Sequence, residues 1–315
     1  MGNEPKTGSD AGLSIETTLE TGVAKGDLAF RHYSRKHWAV AWISENLFDS
    51  FSYTVRHGLI RGMRRKGGLG WAPHFLSPHY ETKEHAFWRS LDLRSLVVYD
   101  VGAFQGLLTL FFARTCAHVV SYEPNTKNHA RLIENLQINK LNNVTVRKLG
   151  LGAVPETRDL VFAPLMSGGS SLELEITKQI KTANVPAASE SIHLTTLERD
   201  IIDAALPAPD FIKIDVEGWE IEVLKGARQT IAAYKPALFL EMHGATMNEK
   251  RRKVSDIVAW LEEAGYDRIT HIETGTLITS ENASIAAQGH LHCPKATDAS
   301  IKAPRSFAAA QGLHQ

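Results

Sequence analysis

The sequence predicts an α/β chain: a doubly wound sheet, mostly parallel with an antiparallel closing strand, plus an N-terminal helical extension. Three observations carry that prediction. From residue 96 onward, short apolar runs of strand length alternate with longer segments of helical periodicity. The first apolar run ends in closely spaced glycines, Gly102 and Gly106, as a parallel strand does where it turns into a helix. Near the carboxyl end, two short runs are separated only by Glu273–Gly275, a spacing that suits an antiparallel pair.

Taken in order, Leu96–Val101 is a buried strand and Gln105–Arg114 the helix after it. His118–Tyr122 is the second strand, and Asn125–Asn139 the second helix with Asn125 as its N-cap. Val144–Leu149 is the third strand. Residues 151–190 read as irregular, around Gly168, Gly169, Ser170 and Ser171. This segment lacks the setting and lysine of a phosphate loop, and is expected to lie over the site and offer hydroxyls. Phe211–Asp215 is the fourth strand and leads into a helix ending near Gly226. Ala237–Met242 is the fifth, after Pro236. Glu249–Ala264 is amphipathic, with Gly265 just past its end. Arg268–Ile272 and Thr276–Thr279 form the closing pair.

Upstream, Trp38, Trp42, Phe48, Phe51, Val55, Leu59 and Met63 recur at helical spacing in a window with eight Lys/Arg against Glu45 and Asp49. The expectation is a helix packed on the main domain with its basic side in water, or one lying on a membrane or partner. The resulting organisation is a disordered leader (1–30), a helical extension (31–90), the main domain (91–295) and a loose tail (296–315).

Composition narrows the class. Of 315 residues, 43% are hydrophobic and 22% charged, ordinary for a globular protein. Lys plus Arg and Asp plus Glu both number 35, so no overall charge draws the chain to nucleic acid or an anionic surface. Two cysteines, Cys116 and Cys293, cannot build a disulfide framework, which points to a cytoplasmic protein. No run approaches the roughly 20 apolar residues of a membrane span. Lys6 stands at the Ser/Thr position of a myristoylation signal, which argues against a lipid anchor.

The turn after the first strand is the main chemical signal. Asp100, Gly102, Ala103, Phe104 and Gly106 bring backbone and a helix N-terminus to the edge of the crevice. Glu123 lies 21 residues after Gly102 at the next strand end, where a carboxylate can accept both hydroxyls of a ribose. Together these specify an adenosine-containing cofactor. Asp100 would repel a pyrophosphate but can pair with an ammonium, which favours S-adenosylmethionine over NAD.

These residues, with Thr109, Tyr122–Asn125, Asn135, Asn139, Gly169–Leu172, Thr196–Leu197, Ile212–Glu220, Leu224–Ala227 and Glu241–His243, resemble the FkbM family of S-adenosylmethionine-dependent methyltransferases over roughly residues 96–292. The resemblance implies a class I, Rossmann-like methyltransferase fold that binds S-adenosyl-L-methionine. It implies methylation of hydroxyls on sugars and other natural products, with Asp100, Gly102, Gly106 and Glu123 in the cofactor pocket. Ala103, Phe104 and Asn125 are expected beside them. Phe104 departs from the family, which often has Asn there; Asn tolerates a positive φ far better than Phe.

Methyl transfer to a hydroxyl needs a positioned acceptor and a group to take its proton. The ends of strands four and five carry Asp215, Glu217, Glu241 and His243. His243 is the expected base, with Asp215 orienting it or taking the proton directly. Glu217 serves equally as a helix-capping acid. The same four side chains could hold a divalent metal, although none is required by this scheme. His290 and His292 read as residues on one face of a strand, and His74, His79 and His85 as surface histidines. The expected acceptor is a small molecule or glycan, not nucleic acid, and assembly into an oligomer stays open. The rival readings are a methyltransferase fold that binds without catalysis and an NAD-dependent oxidoreductase.

Overall fold

The computed structural model describes residues 49–67, 82–163, 170–182 and 187–295, together with positions 39, 42 and 43. The expected leader and tail, and Trp38, Phe48, His74 and His79, lie outside the described residues.

Strands β1 (Ser52–Thr54) and β2 (Arg64–Lys66) form an antiparallel pair ahead of the main domain. The strands β3 (Val97–Val101), β4 (His118–Tyr122) and β5 (Val144–Arg147) open the central sheet. An excursion follows, with β6 (Gly150–Leu151), β7 (Glu156–Phe162), β8 (Ser170–Ser171) and β9 (Ala188–Thr195). The chain then returns with β10 (Phe211–Ile214), β11 (Ala237–Glu241), β12 (Ile269–His271), β13 (Leu277–Ile278) and β14 (His290–Cys293).

The central sheet has the order β13-β12-β14-β11-β10-β3-β4-β5. The pairs from β11 to β5 are parallel, while β14 runs antiparallel between β11 and β12. The expected pair at residues 268–279 forms as β12 and β13. It reaches the sheet only through β14, whose insertion puts the parallel direction back in β12. The order reverses between β3 and β10, so the crevice for a ligand opens at their carboxyl ends.

Both faces of the sheet are buried, which is why its strands read as continuous apolar runs. Tyr99, Val101, Ile212, Ile214, Leu238 and Leu240 pack on one side with the helices Leu197–Asp203 and Met247–Glu263. Val98, Val119, Phe211 and Phe239 pack on the other with the helices Leu107–Thr115 and Thr126–Ile138. Asp100 and Lys213 fall on this second face by strand alternation, and they are register partners across β3 and β10.

Two expectations fail. Residues 51–63 are not helical. Val55, Leu59 and Met63 are buried as predicted, but in the loop of a hairpin. Gly58 and Gly62 both take positive φ there, 83° and 85°, which a right-handed helix cannot use. The hairpin docks on the helix Thr126–Ile138 and the residue that caps it. Lys66 N donates to Asn135 Oδ1 at 2.8 Å, and Arg64 N to Asn139 Oδ1 at 2.8 Å. Residues 151–190 are not irregular either. They carry a second sheet, order β6-β9-β7-β8, and the helix Leu174–Thr182. Several strand positions in β7 face solvent, which leaves only Leu160 and Val161 buried and hides the strand from a hydrophobicity reading.

Asn135 is fully buried and joins three parts of the chain, because its Nδ2 also donates to Gln105 O at 3.0 Å in the turn after β3. Asn135→Ala should leave the Lys66 N–H and the Gln105 carbonyl unpaired at about 1–3 kcal/mol of stability. Urea unfolding followed by circular dichroism checks this, and a midpoint equal to wild type would remove Asn135 from that role.

Candidate active site

A cavity of about 380 Å³ opens over the ends of β3 and β10, within the range typical of small-molecule sites. Its wall includes Asp100, Gly102, Ala103, Phe104 and Glu123 from the first two strand ends, and Asp215, Glu217 and Glu241 from β10 and β11. The excursion contributes Leu160, Ser170 and Leu172, and the helix Lys83–Ser90 contributes Glu84 and His85. His85 is buried at this wall, which corrects its expected place on the surface.

Beneath the cavity lies the ammonium of Lys213, which the sequence reading did not single out. Its Nζ is 3.2 Å from Asp100 Oδ1, 3.2 Å from Asp215 Oδ2 and 2.9 Å from the Gly102 carbonyl. Burial alone would push its pKa down; Asp215 and Asp100 override that and hold it above its ordinary value. Asp100 also accepts from Thr109 Oγ1 at 2.6 Å. The carboxylate expected to meet a cofactor ammonium also has partners within the protein, Lys213 and Thr109. Gly102 has φ 79°, and a Cβ there would sit 1.8 Å from the Asp215 carbonyl oxygen. Its glycine is demanded by the approach of β10 to β3 as much as by a ligand.

Glu123 ends β4 inside the cavity. Its Oε2 accepts from Phe104 N at 2.8 Å and its Oε1 from Asn125 N at 2.9 Å. Those two donors fix the carboxylate and leave each oxygen a further lone pair. Burial nevertheless raises its pKa to about 7, against the lowering effect of those donors and of Lys213. Phe104 has φ 51°, the left-handed conformation the Asn-to-Phe departure raised, and it delivers its N–H to Glu123 in that conformation. Gly106 (φ 87°) caps the helix Leu107–Thr115, and Asn125 caps Thr126–Ile138 through Lys127 N and Asn128 N. Neither Gly106 nor Asn125 lines the cavity. They shape its turns.

On the opposite side, Glu217 and Gly218 take φ 52° and 101°. The bend is pinned by Ser171, whose Oγ donates to the Glu217 carbonyl at 2.6 Å, and by Glu220, whose Oε1 accepts from Gly218 N at 2.9 Å. The hydroxyl of Ser171, expected to be offered to the site, is given to the backbone of this bend. His243 lies behind these acids and does not line the cavity. Its Nδ1 is 3.0 Å from Glu220 Oε1. Its Nε2 is 3.4 Å from Glu217, 3.5 Å from Glu241 and 3.9 Å from Asp215. Burial would lower its pKa, but Glu217, Glu220 and Glu241 hold it well above its ordinary value. Burial and the neighbouring acids raise Glu217 to about 8 against the pull of His243, and burial raises Asp215 to about 6. His243 Nε2 thus faces Glu217, Glu241 and Asp215 rather than the cavity, where the sequence led us to expect a base beside the acceptor.

The strand order, the glycine turn at the switch point and the acid at the end of the second central strand define a class I methyltransferase architecture. Residues 100–268 match the model of the methyltransferase FkbM domain, and the chain belongs to that family. A hexuronic acid methyltransferase, AglP, of Haloferax volcanii is 29% identical over 207 residues, covering 60% of this chain and 78% of that protein. Methyltransferase 1 of Beauveria bassiana is 27% identical over 142 residues, and the chain spans 57% of its length. The crystal structure of an FkbM methyltransferase from Methylobacillus flagellatus overlays with a TM-score of 0.40 at 20% identity, covering 64% of this chain and 44% of that one. That overlap is loose, and the fold assignment stands on the strand order. Among the described residues, no helix is long and apolar enough to cross a membrane.

If Glu123 receives ribose hydroxyls, its ionised form binds best. With its pKa at about 7, S-adenosylhomocysteine affinity should rise as pH increases from 6 to 8. The sign for stability is opposite. The folded state keeps the proton from pH 4.5 to about 7 while the unfolded chain has lost it, so this group makes stability fall across that window. Glu123→Gln should weaken S-adenosylhomocysteine at least tenfold and flatten the pH dependence of binding. Calorimetry at three pH values checks both, and unchanged affinity would remove Glu123 from the cofactor site.

Proposed function

We propose that the chain is an S-adenosyl-L-methionine-dependent O-methyltransferase acting on a hydroxyl of a sugar, glycan or similar small molecule. The observation that carries this is one cavity with two differently built ends. At one end Glu123 is fixed by two backbone donors for a diol. At the other, Asp215, Glu217 and Glu241 offer carboxylates to a hydroxyl acceptor.

The residues fit the cofactor. A buried, oriented carboxylate suits a ribose, and the glycine turn leaves room for the rest of the nucleoside. The surplus of acids in the wall, with Lys213 already committed to two of them, suits a sulfonium and opposes the pyrophosphate of NAD. The bound cofactor supplies an electrophilic methyl carbon. The wall would hold an acceptor hydroxyl toward that carbon, and the proton the hydroxyl loses would pass to a carboxylate. Glu217, in the ionised form that becomes available as pH rises toward its pKa of about 8, is the best placed to take it. It faces the cavity, is held in a bend by Ser171, and unlike Asp215 is not tied to Lys213. A sugar acceptor is consistent with the relative that methylates a hexuronic acid.

The test is release of S-adenosylhomocysteine from the donor with a panel of hexuronic acids and neutral glycosides. On any acceptor so found, Glu217→Gln should lower turnover by about 10²–10⁴-fold. Its S-adenosylhomocysteine affinity should stay within a few-fold. Wild-type turnover in Glu217→Gln would displace Glu217, and NAD binding in place of S-adenosylhomocysteine would displace the methyltransferase reading.

A further inference from the structure

Neighbouring parallel strands β10 and β11 end in acids. Asp215 follows β10, Glu241 closes β11, and His243 comes two residues later. One ligand atom from each of these three lies within 4.8 Å of the others. We propose that Asp215, Glu241 and His243 form a divalent-cation site at the acceptor end of the cavity, and that the cation chelates an acceptor bearing two adjacent oxygens, such as a vicinal diol or a hydroxy acid. The inference rests on the methyltransferase reading above and deepens it.

The spacing fits an ion. Ligands at about 2.1 Å in an octahedron lie roughly 3 to 4.2 Å from one another. His243 Nε2 is 3.5 Å from Glu241 Oε1 and 3.9 Å from Asp215 Oδ1. The imidazole is also aimed. Glu220, buried and outside the ligating three, takes Nδ1 at 3.0 Å and leaves Nε2 toward Asp215 and Glu241, with Glu217 at 3.4 Å beside them. That is the arrangement in which an outer carboxylate orients a metal-bound histidine.

The site opens in the right direction. Asp215 and Glu241 both line the cavity, so positions not filled by protein face the space an acceptor would enter. Three protein ligands leave about three places for water or substrate on an octahedral ion. Two carboxylates and an imidazole suit Mn²⁺ better than Mg²⁺, which prefers oxygen alone. A cation here also reverses the local charge. Glu84, Asp215, Glu217 and Glu241 would repel an acidic acceptor, whereas an ion held by two of them would bridge to it. The acceptor oxygen bound to the ion releases its proton more readily, and Glu217, outside the ligating set, remains available to receive it.

The test uses the full chain, stripped with EDTA and titrated with MnCl₂ while the signal of free Mn²⁺ is followed by electron paramagnetic resonance. One Mn²⁺ should bind per chain. Glu241→Gln and His243→Gln should each weaken it at least tenfold, and Glu220→Gln by about 10–100-fold. Circular dichroism confirms that each variant is folded, and either of the first two suffices if the other is not. No saturable Mn²⁺ binding, or Glu241→Gln and His243→Gln titrating like wild type, would overturn the site. S-adenosylhomocysteine calorimetry on the stripped protein separates the two claims. S-adenosylhomocysteine binding together with failure to bind Mn²⁺ leaves the methyltransferase reading and discards the cation site; saturable Mn²⁺ binding with no S-adenosylhomocysteine binding does the reverse.

Discussion

The site is built around one buried charge. Lys213 sits on the face of β10 that meets β3, where the strand order reverses, and its ammonium reaches Asp100, Asp215 and the Gly102 carbonyl together. A lysine in an apolar strand is costly to bury unless it is paired, and here it has two carboxylates. The pairing holds the glycine turn against the end of β10 so closely that a Cβ at Gly102 would meet the Asp215 carbonyl. The two walls of the cavity, at the ends of β3 and β10, are thereby fixed relative to each other by a single side chain.

Other parts of the chain complete the cavity from outside that frame. The second sheet reaches it through Leu160, Ser170 and Leu172, and Ser171 sets the bend that presents Glu217. The helix Lys83–Ser90 brings Glu84 and His85, although it precedes the segment that matches the family model. The segment that matches the family model thus supplies most of the cavity wall, and the helix before it adds to one side. Asn135 ties the hairpin at 52–66 to the turn itself, so the extension is joined to the site by hydrogen bonds rather than by proximity alone.

What could be read from the sequence follows from this division. The strands β3, β4, β10 and β11 are buried on both faces, so their apolar runs announced them. Asn125 as a cap and Phe104 as an awkward residue in a turn are local effects that a short window contains. The hairpin at 52–66 was hidden because apolar residues four apart mimic a helix, and only the positive φ of Gly58 and Gly62 breaks the pattern. The pairing of Asp100 was not legible because its partner lies 113 residues away. The one available signal was Lys213 itself, a cation between Ile212 and Ile214 in a strand that has no water to offer it. The surroundings of His243 were hidden for a similar reason. Its unperturbed chemistry suits a base, but four carboxylates converge on it: Glu241 from β11, Asp215 just past β10, Glu217 from the bend and Glu220 from the helix that follows.

The most direct measurement is a crystal structure with S-adenosylhomocysteine bound. The ribose should lie on Glu123, with the sulfur directed across the cavity toward Asp215, Glu217 and Glu241, and Lys213 should keep its contacts to Asp100 and Asp215. A ligand bound away from Glu123, or one whose sulfur faces the second sheet instead of the carboxylates, would contradict the account.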